Sequence, residues 1–204
     1  MRVLLRLLTL FSVLCLTSCS ENIIPLSRLA PDAVILAFGD SLTYGTGVNE
    51  DKSYPAVLSE RTGREVINAG NPGELSKDGV TRLPEMLDEY QPSLVVLCHG
   101  GNDILRRKPS SETEQNIRRM IEQSRLAGAE VIVLAVPEFG LLAKPAEYYS
   151  LLPDTLQIPV EMEIITTLQK SSSDKSDSVH FNESGYNKMA QAVINLLRRH
   201  GALN

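Results

Sequence analysis

The sequence predicts a doubly wound α/β/α sandwich around a parallel sheet. Two observations favour this fold class. Several short runs are apolar at consecutive positions, as in strands buried on both faces. Segments with helical spacing of apolar residues lie between these runs. The chain has 204 residues, of which 43% are hydrophobic, and this size suits one domain with a substantial core.

The predicted strands and helices alternate along the chain. The apolar runs that predict strands are 34–38, 66–67, 94–98 and 131–136. The segments that predict amphipathic helices are 54–62, 76–90, 111–127 and 183–199. The last helix carries Arg198, Arg199 and His200 in its final turn, where positive charge suits the helix dipole. The polar stretch 171–178 predicts a loop.

Small and polar residues follow three of the predicted strands. They form the segments Gly-Asp-Ser-Leu at 39–42, Asn-Ala-Gly at 68–70 and Gly-Gly-Asn-Asp at 100–103. In open parallel sheets, ligands bind beyond the carboxyl ends of the strands. These three segments therefore predict a functional site.

Ser41 is the candidate nucleophile of this site. It follows a strand directly after Gly39 and Asp40, so the backbone can turn sharply and present the hydroxyl. The alternative is that Ser41 only caps the next helix, a common role for serine after a strand.

Three histidines are candidate bases. His200 is expected to be solvated, and His99 either lines the site or supports it through hydrogen bonds. His180 has Asp177 three residues before it, a spacing that lets a carboxylate accept from Nδ1 and leaves Nε2 to take a serine proton. This spacing is also common by chance.

Donors for an oxyanion are expected at three positions: the backbone N–H groups of Ser41 and Gly70, and the side-chain amide of Asn102. The alternative for Asn102 is turn chemistry after a strand.

Together, the segments at 39–42, 70, 100–103 and 177–180 resemble the SGNH (GDSL) hydrolase superfamily, over residues 33–200. Their surroundings resemble its bacterial thioesterase/lysophospholipase/arylesterase branch. Two residues depart from the family pattern. Phe181 stands where many relatives have proline, which predicts a looser or re-aimed histidine loop. His99 stands where this branch is often apolar, which predicts a more polar pocket.

The resemblance implies a flavodoxin-like sandwich without metal or cofactor. It implies Ser41 as nucleophile, His180 as general base and then acid, Asp177 as its orienting partner, and an oxyanion hole of Ser41, Gly70 and Asn102. The expected reaction is hydrolysis of aryl, acyl, thio- or lysophospholipid esters through an acyl-enzyme. The alternatives are an O-acetylesterase of envelope glycans and a non-catalytic lipoprotein that binds ligands.

Phe139, Leu141 and Tyr148 follow the fourth predicted strand and are expected to contact the acyl group of a substrate. The alternative is that these side chains pack the edge of the domain.

The N-terminus predicts export. Arg2 and Arg6 precede an apolar run that is too short to span a bilayer, and the segment before Cys19 resembles a bacterial lipobox. We therefore expect a lipoprotein signal peptide at 1–18, lipidation of Cys19, a tether at 19–32 and the hydrolase domain at 33–204. The alternatives are an ordinary cleaved signal and a retained anchor.

The expected location is the bacterial envelope, at the outer membrane facing the periplasm. We expect contact with the membrane only through the lipid on Cys19, a small acyl-ester substrate as partner, and a monomer. The net charge of −5 argues against nucleic acid as a partner. Two of the three cysteines, Cys15 and Cys19, lie in the N-terminal segment, so no disulfide framework is expected.

Overall fold

The computed structural model describes residues 23–138 and 144–204 of the chain, arranged around a five-stranded sheet in the order β2-β1-β3-β4-β7. The strands are β1 (Val34–Gly39), β2 (Glu65–Gly70), β3 (Leu94–Cys98), β4 (Glu130–Leu134), β5 (Pro137–Glu138), β6 (Lys144–Pro145) and β7 (Val160–Glu161). The α-helices are α1 (Ser41–Tyr44), α2 (Tyr54–Thr62), α3 (Ser76–Tyr90), α4 (Gly101–Leu105), α5 (Ser110–Leu126), α6 (Glu147–Ser150), α7 (Leu152–Leu156), α8 (Ile164–Lys170) and α9 (Glu183–Arg199). Short 3₁₀ helices lie at Glu50–Lys52 and Ser172–Asp174.

All strand pairs in the five-stranded sheet are parallel. Helices α3 and α5 pack against each other in one layer, and α2 and α8 pack against α9 in another. Strand β3 is fully buried, as an inner strand covered by helices on both faces should be. The predicted three-layer, flavodoxin-like sandwich is confirmed.

The predicted helices agree with the structure to within one residue at each end. The fourth strand is shorter than its apolar run. The N–H of Ala135 still donates to the carbonyl of Glu161 in β7, but the carbonyl of Val136 accepts from the N–H of Ala146, outside the five-stranded sheet. The predicted loop at 171–178 contains the 3₁₀ turn Ser172–Asp174.

The first described residues lie against the C-terminal end of the chain. The N–H groups of Leu26 and Leu29 donate to the carbonyls of His200 and Ala202. His200, expected to be solvated, instead donates from Nδ1 to the carbonyl of Ile24 at 2.6 Å. The part of the predicted tether within the described residues is thus hydrogen-bonded to the domain. Cys15 and Cys19 lie outside the described residues.

Within the described part of the chain, no helix combines the length and hydropathy needed to cross a membrane.

Candidate active site

The carboxyl ends of β1, β2 and β3 reach the same level of the sheet. Gly39 pairs with Gly70 on one side and with Cys98 on the other. A Cβ at Gly39 would lie 2.1 Å from the carbonyl oxygen of Cys98, so the close approach of β1 and β3 requires glycine. This register brings the segments after the three strands together, as the sequence predicted.

Asp40, not Ser41, caps the helix that begins here. Oδ1 of Asp40 accepts from the N–H of Leu42 at 3.1 Å, and Ser41 is the first residue of α1. Burial raises the pKa of Asp40. Among the described residues, the N–H of Ser41 has no acceptor within the protein. The Ser41 hydroxyl is therefore not used for capping.

Ser41, His180 and Asp177 form a continuous hydrogen-bonded chain. Nε2 of His180 lies 3.1 Å from Oγ of Ser41, and Nδ1 lies 2.7 Å from Oδ2 of Asp177. A carboxylate can only accept, so Nδ1 carries the proton and Nε2 is free to accept the serine proton.

Asp177 is held in place by the backbone that follows it. Its Oδ1 accepts from the N–H groups of Val179 and His180, each at 2.7 Å. The side-chain hydrogen bond from His180, followed by these backbone bonds, lowers the pKa of Asp177 to about 2. The carboxylate is therefore ionised at neutral pH.

Phe181 anchors the histidine loop through packing. Its side chain is fully buried and meets the ring of Tyr186 edge-on, with centroids 5.7 Å apart. Tyr186 in turn donates from its hydroxyl to the carbonyl of Thr46 at 2.9 Å, in the loop after Ser41. The absence of proline suggested a poorly supported loop. In the structure, Phe181 instead holds the loop against α9.

One predicted oxyanion donor needs correction. The N–H of Gly70 donates to Oδ1 of Asn68 at 3.0 Å, because Gly70 is still part of β2 and the Asn68 side chain folds back on it. Gly73, three residues further on, has a left-handed φ of 82°. In the described part of the chain its N–H has no acceptor. The carbonyl of Gly73 accepts from Nη2 of Arg106 at 3.1 Å. This bond holds the turn close to α4, the helix that carries Asn102.

Gly73 is therefore a candidate donor that the sequence analysis did not single out. The Pro72-Gly73 pair was the available signal, since such pairs mark turns with special backbone angles. The third predicted donor, Nδ2 of Asn102, lies 3.2 Å from Oδ2 of Asp40 and is held near Ser41 by this bond.

His99 does not line the pocket. Its side chain is fully buried and contacts Glu74, with Nε2 3.1 Å from Oε2. Of its two predicted roles, the structure shows the supporting one.

Tyr148 is only 6% exposed and packs on Tyr149, with ring centroids 4.4 Å apart. Its burial fits the alternative that it packs the domain edge. Phe139 and Leu141 lie outside the described residues.

The sequence profile of the GDSL-like Lipase/Acylhydrolase family matches residues 37–188. The chain belongs to this family. Among relatives of this GDSL hydrolase, Esterase TesA of Pseudomonas aeruginosa is 33% identical over 135 residues, which is 62% of this chain and 67% of the relative. Thioesterase 1/protease 1/lysophospholipase L1 of Escherichia coli K12 is 33% identical over 111 residues, 53% of each chain. The chain thus aligns with only about half of that relative.

Solved structures give the same assignment. The SGNH-hydrolase family esterase AlinE4 is 26% identical, with a TM-score of 0.64 over 84% of this chain and 98% of that one. A crystal structure of TesA, at 24% identity and a TM-score of 0.73, shares the fold over 81% of this chain and 98% of that one. Family membership and the class of carboxylic-ester hydrolase, both expected from the sequence, are confirmed.

Proposed function

We propose that this GDSL hydrolase cleaves aryl, acyl, thio- or lysophospholipid esters through an acyl-enzyme on Ser41. The hydrogen-bonded chain from Ser41 through His180 to Asp177 is the observation that carries the proposal. It supplies a nucleophile, a base in the right tautomer and a carboxylate that orients the base.

The chemistry follows from these positions. His180 takes the proton of Ser41 on Nε2 while Oγ attacks the ester carbonyl and forms a tetrahedral intermediate. As this intermediate collapses, His180 gives the proton to the departing alcohol or thiol, and the acyl group stays on Ser41. A water molecule, deprotonated by His180, then attacks the acyl-enzyme. As the second tetrahedral intermediate collapses, His180 returns this proton to Oγ of Ser41 and the acid leaves. Asp177 stabilises the imidazolium in both half-reactions.

The proposed oxyanion hole combines the N–H of Ser41, the N–H of Gly73 and the amide of Asn102. The first two are free among the described residues, and the third is held beside the nucleophile by Asp40. Gly73 replaces Gly70, whose N–H is already used. Loss of one such donor typically costs about 3 kcal/mol of transition-state stabilisation.

The test is a substrate panel with purified protein. It contains p-nitrophenyl acetate, butyrate and longer esters, an acyl thioester, a lysophospholipid and an O-acetylated glycan. Relatives named thioesterase, lysophospholipase and arylesterase guide the choice. We expect turnover that is insensitive to EDTA and abolished in Ser41→Ala. Turnover retained by this variant would refute the proposal, preference for the glycan would favour the O-acetylesterase, and no turnover at all would favour the binding module.

We also propose that Cys19 carries a lipid that tethers the domain to the bacterial outer membrane on its periplasmic side. The support is the lipobox-like sequence before Cys19. Fractionation of cells that express wild type or Cys19→Ser tests this. The wild type should sediment with membranes and the variant should not; equal membrane association of both would contradict lipidation.

A further inference from the structure

A buried ionic cluster lies directly behind the turn that carries Gly73. It consists of Glu74, Arg82 and His99, and we call it the Glu74 cluster. The side chains of Glu74 and His99 are 3% and 0% exposed, and that of Arg82 is 23% exposed. Charged groups are rarely buried to this extent unless each is paired.

Each carboxylate oxygen of Glu74 has two hydrogen-bond partners. Oε1 accepts from Nε of Arg82 at 2.8 Å and from Nδ2 of Asn71 at 3.0 Å. Oε2 accepts from Nη2 of Arg82 at 2.7 Å and is in contact with Nε2 of His99 at 3.1 Å. The N–H of Glu74 donates to the carbonyl of Asn71, which closes the turn 71–74 around Gly73. The carboxylate therefore fixes both ends of this turn.

Arg82 connects the turn to the sheet. Its Nη2 donates to the carbonyl of Ala69 at 3.0 Å, in β2, and lies 3.4 Å from the carbonyl of Gly39, just before the nucleophile segment. Its guanidinium also sits 4.1 Å from the centre of the Phe38 ring. One planar cation thus contacts β1, β2 and the Gly73 turn together, which a lysine could not match.

His99 connects the turn to β3. The N–H of Gly100 donates to Nδ1 of His99 at 2.9 Å, so Nδ1 is the acceptor and the ring proton lies on Nε2. Nε2 therefore donates to Glu74. His99 directly precedes the segment that carries Asn102. The bond from His99 to Glu74 therefore connects this segment to the turn that carries Gly73, the other proposed backbone donor beside Ser41.

We propose that Glu74, Arg82 and His99 are positioning residues, which hold the turn 71–74 against the ends of β1, β2 and β3 and so aim the Gly73 N–H at the oxyanion. This inference rests on the proposed ester hydrolysis through Ser41. None of the three residues touches the substrate; they act through the backbone of Gly73. Such positioning matters because a misplacement of about 1 Å in a catalytic group can cost about 100-fold in rate.

The test compares Glu74→Gln, Arg82→Met and His99→Leu with wild type. The matched control is Arg64→Met, because Arg64 also donates its guanidinium to backbone carbonyls, those of Leu29 and Thr62, away from the carboxyl ends of the strands. For each protein we would measure kcat and KM for a p-nitrophenyl ester and for the matching thionoester, together with the midpoint of urea unfolding.

The comparison with the thionoester measures how much the oxyanion hole contributes to the rate. Its reaction develops charge on sulfur, which accepts hydrogen bonds poorly, so a well-aimed hole favours the oxygen ester. We expect the Glu74 and Arg82 variants to lower kcat for the oxygen ester about tenfold to 100-fold. KM should change less than about twofold, and the oxygen-to-sulfur rate ratio should fall with kcat. His99→Leu should show the same trend more weakly, and Arg64→Met should keep the wild-type ratio.

The inference would be overturned if the folded variants kept the wild-type oxygen-to-sulfur rate ratio and lost kcat only in proportion to the drop in their urea unfolding midpoint. His99→Leu keeps Glu74 paired with Arg82 and is the variant to use if the other two do not fold; an unchanged ratio there would also count against it. A wild type without ester turnover would instead refute the proposed function.

Discussion

In the proposed mechanism, the position of the proton on His180 determines whether Ser41 can be deprotonated. The 2.7 Å bond to Asp177 keeps this proton on Nδ1, so that Nε2 faces the serine oxygen at 3.1 Å. An amide at position 177 could donate to Nδ1 and place the proton on the wrong nitrogen.

We therefore expect Asp177→Asn to lower kcat about 10³-fold to 10⁴-fold while the fold is retained. Steady-state kinetics with p-nitrophenyl butyrate measure this. Asp51→Asn, at an exposed carboxylate, is the control and should keep wild-type turnover. A loss of less than tenfold in Asp177→Asn would mean that Asp177 does not orient the base.

The pH profile should depend on the histidine rather than on the aspartate. Because the pKa of Asp177 is lowered to about 2, its charge does not change between pH 5 and pH 8. In the proposed mechanism, protonation of His180 removes the base, so kcat/KM should fall as the pH is lowered. A kcat/KM that does not fall on the acid side of the profile would contradict general-base catalysis by His180.

The candidates Ser41, His180 and Asp177 could be predicted from the sequence because each stands in a recognisable local segment, and the structure brings them within hydrogen-bonding distance. The sequence could not predict which glycine supplies the third proposed oxyanion donor. That choice depends on where β2 ends and on the Asn68 side chain, which takes up the N–H of Gly70. It also left the role of His99 open, since only the fold shows that Glu74 lies against its ring.

Among the secondary-structure elements, long helices were predictable and short ones were not. Helices α3, α5 and α9 have 15 to 17 residues and a clear apolar stripe. Helices α1 and α4 have only four and five residues, and helices of this length are stabilised by the surrounding fold rather than by their own sequence. The two-residue strand β7 likewise exists because β4 is beside it.

The histidine loop depends on the packing of Phe181 against α9. We expect Phe181→Ala to lower the free energy of unfolding by about 3–5 kcal/mol, as is typical for a fully buried phenylalanine, and to reduce kcat because the loop loses its anchor. Urea unfolding and steady-state kinetics measure the two effects. Leu126→Ala, at a side chain that is 89% exposed, should change neither. If Phe181→Ala were destabilised but kept the wild-type kcat, the packing of Phe181 would not be needed for catalysis.

Across the whole molecule, buried carboxylates link stability to pH. Burial alone would raise the pKa of Glu74, but hydrogen bonds from Arg82, His99 and Asn71 outweigh burial and lower it to about 2. A carboxyl whose pKa is lower in the folded protein stabilises the fold above its unfolded pKa. This stabilisation is lost as the pH falls through the folded value.

The free energy of unfolding of the wild type should therefore decrease as the pH is lowered from about 5 towards 2. Glu74→Gln should show a shallower decrease, because it has lost one of the groups that take up a proton on unfolding. Urea titrations at a series of pH values measure the slope. Equal slopes in both proteins would show that Glu74 does not have a lowered pKa in the fold.

Activation of Ser41 by His180 is the step on which the proposed ester hydrolysis depends. Its most direct test is intact-protein and peptide mass spectrometry after reaction with a fluorophosphonate probe. The wild type should carry one adduct, located on Ser41; Ser41→Ala should carry none, and His180→Gln should label far more slowly. An adduct on another residue, or labelling of His180→Gln at the wild-type rate, would contradict the claim.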